Sequence, residues 1–203
     1  MKVITLSGYK RSGKDTAYIY IKKYLELKGY KVERIALADA MKEIVSETFG
    51  SPLQLLEDHK NSEHSQIEFW NGTEDDDCVE WITTARKVLQ NFGQAMKKHF
   101  GKHVWCDIAV DNMTDDEAVY VITDVRFPFE AEYFARYTAN SWVFTENGLF
   151  KALRVNRDDV DTSDPHESER YIKDIKVDAE IDNNGTLLQL ENNVTNALKS
   201  LGL

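Results

Sequence analysis

The chain has 203 residues, 42% of them hydrophobic, which suits one domain, or one domain with an inserted flap. Its 25 Lys and Arg against 35 Asp and Glu leave a net charge of −10, which weighs against a broad nucleic-acid groove or an anionic membrane as partner and leaves small phosphorylated ligands open. Cys78 and Cys106 form no CxxC pair or disulfide framework, no apolar run is of membrane-spanning length, and the start lacks signal-peptide anatomy, so a soluble, cytoplasmic protein is expected.

The first predicted element is an apolar strand, Lys2-Val-Ile-Thr-Leu-Ser7, running into Gly8. Lys10, Arg11 and Ser12 lie between Gly8 and the pair Gly13-Lys14, and Asp15-Thr16 then open a helical pattern. Strand, G-x-x-x-x-G-K and helix together make a phosphate-binding loop. Glycines allow a tight turn and close approach of the backbone. The loop amides form an anion-binding concavity, and the helix adds the positive end of its dipole. Lys14 supplies a mobile charge for the β- and γ-phosphates. The residue after the lysine is Asp15 where Ser or Thr is usual. Its carboxylate either binds Mg2+, directly or through water, or simply occupies a helix N-terminus that favours negative charge. With the first alternative, Thr16 is left to donate to a phosphate.

The pattern predicts a helix from Lys14 to about Lys28, stopped by Gly29, and a strand over Val32 to Leu37. Asp39 is expected to cap a second helix that ends at Gly50-Ser-Pro52. Lys42 in its first turn opposes the helix dipole, so it either meets an anion or is a solvated surface lysine. Residues 53–82 are strongly acidic, and a solvated flap or irregular insertion is expected there. His59 and His64 inside it match no zinc spacing. Thr84 is a candidate cap for a helix carrying Arg86, Gln90 and Gln94 on one face. That face suits a ligand with a phosphate at one end and a base edge at the other, or is a plain polar stripe. Another helix is expected over Lys102 to Met113.

Ala118 to Asp124 reads as a near-continuous apolar strand, as in a sheet buried on both faces. Asp124 ends it and Arg126 follows on the same side. Ligands of open α/β sheets bind beyond the carboxyl ends of strands. Asp124 therefore either orients a metal or its water, or pairs with Arg126 on the surface. Pro128 opens a helix. Glu146-Asn147-Gly148 signals a hairpin between two apolar runs within Ser141 to Val155. Leu153-Arg154-Val155 is expected to complete a sheet strand. Polar residues from Arg154 to Glu169 make a candidate lid carrying Arg154 and Arg157 to the phosphates, with His166 either part of it or an ordinary loop histidine. Ala179 to Asp182 is a last short strand, and a helix over Thr186 to Leu201 closes the chain.

Strands alternating with helices behind such a loop predict an α/β protein: a three-layer α/β/α P-loop fold with a mostly parallel sheet, organised as one domain over 1–203. Ser7-Gly-Tyr-Lys-Arg-Ser-Gly-Lys-Asp-Thr16 resembles the loop of the bacteriophage deoxynucleoside monophosphate kinases, which also carry Gly-Lys-Asp. Further resemblances follow in register: Ala38-Asp-Ala-Met-Lys42, Arg86-Lys-Val-Leu-Gln90-Asn-Phe-Gly93 with Trp105, Thr123-Asp-Val-Arg-Phe-Pro-Phe-Glu-Ala-Glu132, and His166-Glu-Ser-Glu169 with Ile181-Asp-Asn-Asn-Gly-Thr186.

This resemblance implies a nucleoside monophosphate kinase-like fold and phosphoryl transfer from ATP to a deoxynucleoside monophosphate with Mg2+, in the host cytoplasm. It implies that Gly8, Lys10, Arg11, Ser12, Gly13, Lys14, Asp15 and Thr16 hold the donor nucleotide, and that Asp15 and Asp124 serve the metal. Asp39, Lys42, Arg86, Gln90, Trp105 and Arg126 would bind the acceptor. Lys14, Arg126, Arg154 and Arg157 would act on the transferring phosphate, the last two from the lid. Three departures stand out: Phe129 replaces an Asn, Ala85 a Pro, and a Trp142–Phe150 hairpin is extra. Other readings are a phosphomevalonate kinase-like enzyme, a kinase of modified bases in DNA, and a nucleotide-binding switch without transferase activity. An exposed helix face would allow a homodimer, although no heptad pattern specifies one.

Overall fold

The computed structural model describes residues 2–49, 66–69, 81–140, 149–160 and 167–203. In chain order the elements are β1 (Lys2–Ser7), α1 (Lys14–Leu27), β2 (Val32–Ile35), α2 (Leu37–Phe49), β3 (Gln66–Phe69), β4 (Trp81–Thr84), α3 (Ala85–Phe100), α4 (Val104–Asp111), β5 (Val119–Ile122), α5 (Pro128–Asn140), β6 (Leu149–Asn156), α6 (Glu167–Arg170), a 3-10 turn (Ile172–Asp174), β7 (Ala179–Asp182) and α7 (Leu187–Ser200). The chain divides into two compact units, Met1–Leu37 with Cys106–Leu203, and Ala38–Trp105.

The larger unit is built on a five-stranded sheet in the order β2-β5-β1-β6-β7, parallel throughout. β1 lies at its centre, so Val3, Ile4 and Leu6 are fully buried, as are Tyr120, Val121 and Ile122 of β5. That is why neither strand shows a regular apolar–polar alternation: β5 is apolar throughout and β1 is broken only by Thr5 between its first and last residues. One face carries Ile4, Leu6, Val121, Leu153 and Ile181, packed with Ala17, Ile21 and Leu25 of α1 and Leu190, Val194 and Leu198 of α7. Strand alternation turns Val3, Tyr120 and Ala152 to the other face, where α5 packs on β6 and β1. The result is the expected three-layer α/β/α fold. Each fully buried Ile or Leu of this core contributes about 1.5–3 kcal/mol by leaving water.

Several boundaries differ from the sequence expectation. β2 stops at Ile35 and α2 starts at Leu37, so Asp39 sits in the first helical turn instead of capping it. The helix end is held from elsewhere, since Leu37 N donates to Asp124 Oδ1 at 2.8 Å. Leu149 and Phe150 were expected in an extra hairpin, but they pair in parallel with Lys2 and Val3. The sheet recruits the whole apolar run, and the preceding arm of the expected hairpin, 141–148, lies outside the described residues. Thr84 ends β4 immediately before α3.

In the smaller unit, β3 and β4 pair antiparallel from Gln66↔Thr84 to Phe69↔Trp81. Part of the acidic stretch, expected as a solvated flap or an irregular insertion, thus forms a regular two-stranded ladder. The remainder of that stretch, with His59 and His64, lies outside the described residues. Val45 and Leu89 form a small core with Met41, Val88 and Phe92, and the rings of Phe92 and Trp105 lie 6.1 Å apart. Among the described residues no helix is long and apolar enough to cross a membrane.

Candidate active site

The loop leaves β1 at Ser7 and re-enters helix at Lys14 with two backbone conformations that L side chains resist. Gly8 has φ +146, and a Cβ there would meet Ser12 Oγ and Val155 O at 2.6 Å. Gly13 has φ +94, and its Cβ would collide with Asn183 Nδ2. Arg11, at the exposed tip, also adopts a positive φ of 65. For a non-glycine residue this costs about 1–2 kcal/mol, so strain is concentrated in the anion-binding loop. Gly13 caps α1 with no side-chain hydrogen bond. The first helical amides therefore lack a capping side chain, which is the arrangement that favours an anion. Ser12 Oγ is buried and has no hydrogen-bond partner among the described residues. A hydroxyl stranded in a glycine-lined turn fits a phosphate oxygen.

Lys14 Nζ donates to the carbonyl oxygens of Gly8 and Tyr9, both at 2.8 Å. Burial pushes its pKa down to about 8, helped by the nearby Arg126 guanidinium and opposed by Glu169, Asp15 and Asp124. These five side chains thus share one electrostatic environment. The sheet explains why. Val125 N donates to Leu6 O at 3.2 Å and Thr123 N to Ile35 O at 3.0 Å, so the chain after β5 stays between β1 and β2 and delivers Asp124 and Arg126 beside the loop. Glu130, buried in the first turn of α5, accepts from Arg126 N at 2.8 Å and Phe127 N at 3.1 Å.

Three residues outside the predicted set organise this site. Glu169 is buried; its Oε1 accepts a short hydrogen bond from Arg126 Nη1 and its Oε2 accepts from Lys10 N at 3.2 Å. Asn183, also buried, donates through Nδ2 to Ser12 O at 2.8 Å and through its amide to Asn156 O at 2.8 Å. It props the loop from the end of β7. Glu130 is the third. All three fall within the segments that carry the family resemblance, but nothing in their spacing shows which loop atoms they reach.

The strand expected at Leu153–Val155 is present within β6, and it takes Arg154 out of the 154–169 lid reading. Arg154 lies within β6, paired with Ser7 and Glu180. Its guanidinium donates to Glu180 Oε1 at 2.9 Å, Lys173 O at 3.2 Å and Ile175 O. It is a fixed strand residue, because sheet pairing continues to Asn156. Arg157 follows the strand and is exposed. Residues 161–166, with His166, lie outside the described residues.

In the smaller unit, Lys42 Nζ donates to Asp39 Oδ1 at 2.8 Å. One anion it meets is therefore one turn back on its own helix. Gln90 is half-buried on α3, and Trp105 Nε1 approaches Gly93 O at 3.4 Å. A Cβ on Gly93 would meet Met41 Sδ at 2.9 Å. The Arg86 side chain is outside the described residues.

The metal question turns on Asp15 and Asp124. Mg2+ commonly takes only one or two protein carboxylates together with substrate phosphates. Both carboxylates act on Lys14, and Asp15 stands in the first turn of α1, so the donor set fits a phosphate-bound Mg2+.

A family model described as deoxynucleotide monophosphate kinase matches residues 54–194. The match covers more than half of the chain, and it includes Arg126, Glu169 and Asn183 but begins after the phosphate-binding loop. No curated protein matches the chain. Among solved structures, an APS kinase of Mycobacterium tuberculosis is similar over 98% of this chain and 96% of its own, at 10% identity and a TM-score of 0.44. A shikimate kinase from Bacteroides thetaiotaomicron is similar over 100% and 99%, at 12% identity and a TM-score of 0.41. Likenesses this distant carry no weight for the chemistry of this chain.

Proposed function

The chain belongs to the deoxynucleotide monophosphate kinase family, and from that premise we propose that it transfers the γ-phosphate of ATP to a deoxynucleoside monophosphate, giving the diphosphate, in phage deoxynucleotide metabolism. It is an ATP-dependent phosphotransferase. The observation that best supports the reading is the gathering of charged groups at one loop: Lys14 Nζ donates to Gly8 O and Tyr9 O, and Glu169 accepts from both Arg126 Nη1 and Lys10 N.

Phosphoryl transfer asks the protein for alignment and charge neutralisation more than for covalent chemistry. The loop amides, the Ser12 hydroxyl and Lys14 hold the donor phosphates. Lys14 gives up its bonds to Gly8 O and Tyr9 O when a better anion arrives. Asp15 and Asp124 would hold Mg2+, which supplies neutralising charge between the phosphates. Arg126 grips the acceptor phosphate, with Asp39, Lys42, Arg86, Gln90 and Trp105 assigned to the acceptor nucleotide. An acceptor phosphate oxygen then bonds to the γ-phosphorus as the bond to the β-phosphate oxygen breaks and ADP leaves. Arg157, exposed just after β6, is assigned to the transferring phosphate, and the reaction requires that water, which would otherwise compete as nucleophile, be excluded.

The test is ADP formation from ATP and Mg2+ with a panel of deoxynucleoside monophosphates, their ribose forms and phosphomevalonate. Turnover on one or more deoxynucleotides, well above the acceptor-free rate, is the expected result and also gives the base preference. Turnover on phosphomevalonate alone, or on no acceptor while ATP still binds, refutes it.

A further inference from the structure

The carboxylate of Glu169 is an unusual neighbour for a phosphate-binding loop, because it adds negative charge where an anionic ligand must bind. It is 7% exposed. A buried carboxylate is retained only where its partners compensate for lost water. Its partners here are specific: one oxygen takes Arg126 Nη1, and the other takes the amide of Lys10. Arg126 presents five N–H donors in a rigid fork. Its side chain remains 29% exposed with Nη1 committed to Glu169. A carboxylate on one edge of a guanidinium therefore fixes the plane of the fork and turns another edge outward. The second oxygen ties that orientation to the nucleotide loop itself.

Resting on the kinase reading above, we propose that Glu169 is the positioning residue for the acceptor phosphate: it clamps Arg126 to the loop at Lys10, so that donor loop and acceptor arginine are held as one unit. The position follows from the sheet, since Arg126 arrives from the end of β5 and Lys10 from the end of β1, with no peptide link between them. Only a side chain from a third segment, here the short α6, bridges the two. The neutral variant Glu169→Gln keeps the shape but loses the charge that orders the guanidinium.

The experiment is a double-mutant cycle on Glu169→Gln and Arg126→Ala, reading equilibrium binding of a deoxynucleoside monophosphate by calorimetry, and kcat and KM for ATP and for the acceptor. Glu169→Gln is expected to weaken acceptor binding about tenfold or more, as for one partner lost from a buried charge pair, while ATP KM changes by less than about threefold. In the Arg126→Ala background Glu169→Gln is expected to cost nothing further, because its effect runs through the arginine. If Glu169→Gln proves unstable to thermal unfolding, Glu169→Asp, with the charge kept and the reach shortened, replaces it in the same cycle. Independent, additive losses would overturn the assignment, as would equal damage to ATP and acceptor binding. If the unmodified chain phosphorylates no nucleotide, the kinase reading fails first and this role falls with it; additive losses in an active enzyme sink this role alone.

Discussion

Replacing Gly13 by alanine probes the loop where sequence and tertiary structure meet. Two costs add. Gly13 is held at φ +94, which for a residue with a Cβ costs about 1–2 kcal/mol. The new methyl would also collide with Asn183 Nδ2, the group that donates to Ser12 O at 2.8 Å. Moving that amide aside strands a buried carbonyl, at about 1–3 kcal/mol. Gly13→Ala should therefore destabilise by about 2–5 kcal/mol, or about 4–20 °C in melting temperature for a chain of this size. Urea denaturation of Gly13→Ala, Asn183→Ala and the double variant separates the parts. Both single variants lose the same Asn183–Ser12 bond, so the double should be less destabilised than the sum by about 1–3 kcal/mol. Additivity within about 0.5 kcal/mol, or a Gly13→Ala cost below about 1 kcal/mol, would refute the buttressing argument.

Lys14→Ala should lower turnover by about a hundredfold or more, while far-ultraviolet circular dichroism shows an unchanged fold, since Lys14 Nζ bonds only two loop carbonyls among the contacts described; near-normal turnover would remove the lysine from the chemistry. The lowered Lys14 pKa, about 8, predicts proton linkage. The free ammonium loses its proton as pH rises through 8, whereas bound phosphates favour the charged form, so nucleotide affinity should fall above pH 8 with proton uptake on binding. Calorimetry in buffers of different ionisation enthalpy reads that uptake, and its persistence in Lys14→Met would assign it elsewhere. Arg86→Ala should raise acceptor KM with little change for ATP, and unchanged acceptor kinetics would take Arg86 out of the acceptor site.

Much of the molecule was legible from local pattern alone. The strand-loop-helix signature of Lys2 to Thr16 depends on residues close in sequence, where glycine stereochemistry and helix dipole act directly. β1 and β5 announced their burial through largely apolar runs without alternation, and β7 and α7 matched their expected places. Boundaries set by long-range partners did not show. Leu37 begins α2 because Asp124, from a distant strand, accepts its amide. Leu149 and Phe150 follow β1 into the sheet although a nearby Asn-Gly favoured a hairpin. Arg154 reads in the sequence both as the middle of a strand and as the start of a lid, and pairing with Ser7 and Glu180 decides for the strand.

The residues of the site divide the same way. Lys14 stood out by its place in the G-x-x-x-x-G-K motif, and Arg126 by its place just beyond a strand end. Glu169 and Asn183 carried no such mark, since a glutamate in a polar stretch and an asparagine before a turn are ordinary in sequence. Sequence alone determined that a phosphate-binding loop opens an α/β sheet, because that chemistry is written in consecutive residues. Which carboxylate meets Lys10 and Arg126, and which amide supports Ser12, was decided only by the parallel order β2-β5-β1-β6-β7, which brings the ends of separate strands within hydrogen-bond reach.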